Sequence, residues 1–267
     1  MRISLVSLAP ALVALGILAA CNNAGETPFA ERAPEDLFDE GEELLAQEAY
    51  PEAAEIFNEV ERQHPHSELA PRALLLSGYA LYSDQNYAEA LATFQRFIDL
   101  HPGNIQIDYA YYLRAVCYYE QISDIERDQE MTRLGVNALE ELLERYPESQ
   151  YARDAQLKLD LAYDLMAGKH VAIGRYYQRQ GDWLAAINRF NRVISEFDTT
   201  THIEEALHRL VESYLALGLV GEARRTAAVL GHNYPNSEWY SLSYALVNGE
   251  ELPDDSSFLE RSFRGLF

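Results

Sequence analysis

Residues 78–102 read GYALYSDQNYAEALATFQRFIDLHP, and the spacing of four of them decides the fold. Gly78 is followed twelve residues on by Ala90, four further by Phe94 and eight further by Pro102. An Ala and a Phe four apart share one face of a helix. A small residue on the preceding helix lets the two backbones approach, and the Pro marks where the second helix stops. The stretch therefore describes a helical hairpin. Thirty-seven residues earlier the same set stands as Gly41, Ala53, Phe57 and Pro65. Later it returns as Gly174, Ala186, Phe190 and Asp198, and more weakly as Val211, Ala223, Ala227 and Pro235. A fifth copy, Ala115, Gly135, Leu139 and Pro147, carries eight extra residues between its first two members.

Five copies in one register are the tetratricopeptide pattern. One hairpin buries little alone and must stack on its neighbours. The expected fold is an all-α solenoid, a right-handed superhelix of about five hairpins plus extra helices. Helices are expected near 34–48, 51–64, 67–83, 87–100, 106–122, 131–146, 149–167, 168–180, 183–197, 201–217, 220–233 and 236–248. The first members of successive repeats lie 37, 37, 59 and 37 apart. The excess divides between a charged loop at 123–130 and an added amphipathic segment at 151–166, which Gly168 is expected to end. The expected division is repeats 1–3 over 34–148, then a connecting helix, repeats 4–5 and a capping helix over 149–249, with a tail over 250–267.

The N-terminus reads differently. Met1-Arg2 precedes an apolar run from Ile3 to Ala20 that closes on Leu18-Ala19-Ala20-Cys21. Such a run ending at small residues marks a signal peptide, here 1–20. Cys21 with Leu-Ala-Ala before it resembles the bacterial lipoprotein box. That resemblance implies a lipidated Cys21, a tether over 21–33 and, with Asn22 next, the outer membrane. Cys117 would then have no disulfide partner.

The net charge of −22 excludes nucleic acid as an obvious partner. The charge is uneven. Twelve acids stand against Arg62 alone between Glu35 and Glu68, whereas seven bases outnumber four acids between Arg153 and Arg192. No phosphate loop, zinc-binding His pair, nucleophile elbow or Cys-x-x-Cys occurs, so neither a cofactor nor an enzyme is expected. A metal at His64-Pro65-His66 is not expected either.

Stacked hairpins line their concave side with the first helix of each pair. The stripe expected there holds Phe38, Glu42 and Leu45, then Arg72, Leu75, Tyr79 and Tyr82, then Tyr109, Tyr112, Val116 and Tyr119. Such aromatics suit an aromatic-rich peptide segment. The alternative places the tyrosines in the core between repeats. In the fourth repeat the stripe becomes Val171, Arg175 and Gln178 with Arg179, and Arg189 and Arg192 follow on the next helix. That basic, polar surface suggests a second, different partner.

The lipid box, the five repeats, the long third repeat and the segment GKHVAIGRYYQRQGDWLAAINRFNRVISE at 168–196 together resemble the BamD family of the outer-membrane β-barrel assembly machine. The resemblance implies docking of the C-terminal repeats, Arg189 among them, onto the POTRA region of the barrel-forming subunit. It implies reception of the aromatic terminal segment of unfolded barrel proteins by the N-terminal repeats. It also implies accessory lipoproteins as partners. Pilotins and adaptors of cell-wall synthesis share the lipid box and repeats, but are not expected to share the interruption after the third repeat.

Overall fold

The computed structural model describes residues 32–122 and 129–250. Among them eleven helices follow one another. The first hairpin is α1 (Pro34–Ala46) with α2 (Tyr50–Gln63), the second α3 (Ala70–Ser83) with α4 (Tyr87–Leu100), and the third α5 (Ile107–Tyr119) with α6 (Glu130–Arg145). Helix α7 (Ala152–Gln180) pairs with α8 (Trp183–Glu196), α9 (Ile203–Ala216) pairs with α10 (Val220–Asn233), and α11 (Glu238–Asn248) caps the array. Cys21, the tether up to residue 31, most of the 123–130 loop and all but the first residue of the tail lie outside the described residues.

Each helix packs on its neighbours in sequence, and α3, α5, α7, α9 and α11 also touch successively. The odd-numbered helices therefore form one layer, which is the concave side of a stacked-hairpin superhelix. The register residues make the contacts their spacing implies. A methyl group on Gly41 would lie 2.6 Å from the Phe57 ring, and one on Gly78 would lie 2.5 Å from the Phe94 ring. Gly174 meets Phe190 in the same way, and all three rings are fully buried. The glycine lets the ring lie against the first helix's backbone. The fifth repeat replaces ring and glycine by a small cluster of Val211, Ala223 and Ala227.

Two backbone devices recur at the turns. The residue seven after the register residue is left-handed in four hairpins, at Glu48, Gln85, Gly181 and Gly218. The second helices all end alike. His64, His101, Tyr146 and Tyr234 each precede a proline and leave helical geometry, because the proline ring disfavours that geometry for the residue before it. Phe197 does the same before Asp198.

One expectation is corrected. The segments 149–167 and 168–180 are a single 29-residue helix, α7. Gly168 does not end a helix; it is buried mid-helix, and the chain leaves α7 at the left-handed Gly181. The buried stripe on α7 changes side along its length. Ala155, Leu159 and Ala162 face the first three repeats, whereas Ala167, Val171 and Gly174 face the fourth. The second triplet is displaced by twelve positions, so the stripe turns by about 120° around the helix. Tyr163 and Met166 touch both cores and join them.

Candidate functional site: a tyrosine face on the inner layer

The concave layer of repeats two and three carries a linked set of tyrosines. Tyr79 and Tyr82 have ring centroids 6.5 Å apart, and Tyr82 lies 6.1 Å from Tyr87 at the start of α4. Tyr109 and Tyr112, one turn apart on α5, both stack on Tyr151, at 4.9 and 4.8 Å. All are half-buried. Burial pushes the Tyr109 hydroxyl up to about 12, with Tyr151, Tyr79 and Tyr82 adding to the effect. Burial likewise raises Tyr82, and Glu120 adds to it.

The far end of this face is polar and ordered. The Tyr112 hydroxyl donates to Asp154 Oδ2 at 2.6 Å. Lys158 Nζ meets the same oxygen at 3.2 Å and lies 5.2 Å from the Tyr119 ring centroid. The Tyr112 hydroxyl, and then Lys158, hold the Asp154 carboxyl below its usual range despite partial burial. Tyr151, just before α7, and Asp154 and Lys158 in its first two turns were not singled out in the sequence. Their spacing on the inserted segment was the available signal, but nothing local to it names α5 as the partner.

The structure thus brings Tyr79, Tyr82, Tyr109 and Tyr112 together and sets Tyr119 at the Lys158 end. Phe38 is corrected. It is 3 % exposed, packs edge-on against Phe57 at 5.6 Å, and is roofed by Arg72 at 4.8 Å, which pairs with Glu42. Leu75, Val116 and Val171, also placed on the open stripe, are buried. What the concave side offers at these positions is Arg72 and Glu42, then tyrosine.

The basic island is not one patch either. Arg175 faces α9 and pairs with Glu205 at 3.2 Å. Gln178 donates to the Arg209 carbonyl and Ser213 Oγ, fastening α7 to α9. Arg179 is exposed near the end of α7. On α8, Arg192 pairs with Glu196, and the half-buried Arg189 reaches His170 Nδ1 at 3.5 Å. Burial, then the charges of Arg192 and Arg189, hold the His170 imidazole down to about 4.

A pH dependence follows. Between pH 6.5 and about 4 the unfolded chain binds a proton at His170 that the fold refuses, so stability is lost as the pH is lowered through that window. His170→Gln should flatten the melting temperature there, measured by thermal scans at each pH. Below it a second loss begins. Burial pushes the Glu212 carboxyl up, but His208 and Arg209 outweigh it and hold it at about 2. Its contribution is complete above pH 4.5 and lost toward 2.

Among the described residues no group of three or more His, Cys, Asp or Glu side chains is placed to hold a metal. No helix among them is long and apolar enough to cross a membrane. A model of outer membrane lipoproteins, the YfiO family, matches residues 30–230, which is most of the solenoid. The chain belongs to that family. Within it, the outer membrane protein assembly factor BamD of Caulobacter vibrioides is 47 % identical over 250 residues, covering 92 % of this chain and 82 % of that protein. The BamD of Rickettsia prowazekii is 44 % identical over 244 residues, covering 91 % and 97 %. Among solved structures, the TPR2AB domain–pHSP90 complex of yeast Sti1 is similar at 15 % identity and a TM-score of 0.40, covering 80 % of this chain and 83 % of that one. YfiO-family membership associates this chain with the outer membrane.

Proposed function

We propose that this chain is a non-enzymatic assembly factor for outer-membrane β-barrel proteins, anchored through lipid on Cys21 at the periplasmic face. The relatives named above are called outer membrane protein assembly factors. In this reading the tyrosine face receives the aromatic terminal segment of an unfolded barrel protein. The C-terminal repeats meanwhile dock on the POTRA region of the barrel-forming subunit, in company with accessory lipoproteins. The observation that carries the substrate half is the cluster of Tyr79, Tyr82, Tyr109, Tyr112 and Tyr151. Tyrosine rings supply large contact area at small entropic cost, and their hydroxyls tolerate water when the face is empty.

The docking half rests on α8, where Arg192 is exposed and Arg189 is half-buried beside His170. Arg189→Glu should weaken capture of a purified POTRA fragment by at least about tenfold, the scale expected for losing a charged contact. Melting should shift little, since Arg189 is only half-buried. Unchanged capture at low and high salt would remove Arg189 from the interface. Extraction in mild detergent followed by identification of co-purifying proteins tests the assembly as a whole. A barrel-forming subunit is expected among them, and a pilus secretin or a cell-wall synthase in its place would favour the other repeat lipoproteins.

A further inference from the structure

The chain has 21 basic side chains, and only Lys158 and Lys169 are lysines. One of these two stands at the end of the tyrosine face. Lys158 rests over Tyr119, and Asp154, itself held by Tyr112, takes one of its three ammonium donors. Its side chain is 22 % exposed, so the ammonium is partly desolvated yet reachable. The other charges felt by the tyrosines are acidic: Glu120 acts on Tyr82 and Asp108 on Tyr151. Arg72, on α3 of the same layer, lies on Phe38 and is engaged by Glu42. Lys158 is the cation that sits directly against this set of rings.

We infer that Lys158 is the specificity residue that receives the free α-carboxylate of a chain terminus. This inference rests on the reading of the tyrosine face as a peptide site and deepens it. An aromatic segment that binds by its terminus differs from an internal aromatic segment in one group, the terminal carboxylate. A lysine held at one end of an otherwise acidic aromatic face reads that difference. It also sets the register. With the carboxylate at Tyr119, the side chains of an extended segment on one face recur about every 7 Å. They then run along α5 toward Tyr112 and Tyr109, where the stacked rings lie. Asp154 orients the ammonium and, being 48 % exposed, is screened by water from the incoming charge.

The test uses the mature chain and a short synthetic peptide that alternates phenylalanine with serine and threonine and ends in phenylalanine. The peptide is made once with a free carboxyl and once as the terminal amide. The acid form should bind about tenfold or more tighter, as for a charge-assisted hydrogen bond. Lys158→Met, which keeps the apolar stem over Tyr119, should erase the preference of acid over amide. Lys158→Arg should retain part of it. Equal binding of acid and amide to the unaltered protein overturns the inference and leaves the peptide site standing. A preference that survives Lys158→Met, or disappears with Arg72→Met instead, overturns it too. If neither form binds, the peptide-site reading fails and takes the inference with it.

Discussion

Replacing Tyr79 and Tyr112 together with alanine should cost about a thousandfold in affinity for an aromatic peptide, taking roughly 2 kcal/mol for each central aromatic. The structure sharpens what else should happen. Tyr79 is half-buried beside Tyr82 and gives up little packing. Tyr112 stacks on Tyr151 and bonds Asp154, so its loss should also cost stability, on the order of 1–2 kcal/mol. Tyr112→Phe separates the two effects, because it keeps the stack and drops only the hydroxyl. Melting and peptide binding are to be measured on the same proteins. A double variant that melts far lower yet binds normally when cold would make these tyrosines inter-repeat packing and place the binding site elsewhere.

The largest loss of stability is expected at Phe94. Its ring is fully buried against the Gly78 backbone, and Phe94→Ala should cost about 3–5 kcal/mol by leaving a cavity. Gly78→Ala tests the same contact from the other side. In an open helix that change would gain about 1 kcal/mol. Here the added methyl would lie 2.5 Å from the ring, so the change should instead cost about 1–3 kcal/mol. Combining Gly78→Ala with Phe94→Leu should recover part of that cost, because the ring edge is vacated, and the shortfall from additivity measures the contact. Urea unfolding of the four proteins gives the comparison. A neutral Gly78→Ala would mean the ring is free to move aside.

The repeat register was readable because its contacts are local. Gly78 and Phe94 are 16 positions apart and belong to one hairpin, so spacing alone names both partners. Phe38 was misread for a related reason. The position three before the register residue holds Phe38, Leu75 and Val171, all buried, because it leans toward the second-helix ring rather than toward the open side. Only in the third repeat does that position, Tyr112, reach outward, since the start of α7 supplies Asp154, and the residue before it Tyr151, for it to meet. That partner lies 42 residues away, across a whole hairpin. Periodicity reports a residue's face but not what faces it. The continuity of α7 was hidden because a glycine before a lysine looks like a helix end, whereas a glycine that ends a helix does so in the left-handed conformation. Gly181 adopts it, and Gly168 stays helical. The left-handed turn position is plain in the sequence only where it is glycine, at Gly181 and Gly218; Glu48 and Gln85 occupy it at a conformational cost of roughly 1–2 kcal/mol.

Helix α7 is about 44 Å long at 1.5 Å per residue, and it is gripped on one side at its start and on another, a third of a turn away, at its end. That is the geometry of a crankshaft. No loop interrupts the shaft to absorb twist, so a rotation imposed by the tyrosine-bearing repeats passes through its backbone hydrogen bonds. At the far end the offset would turn such a rotation into a sideways swing of the fourth repeat and of the fifth repeat stacked on it.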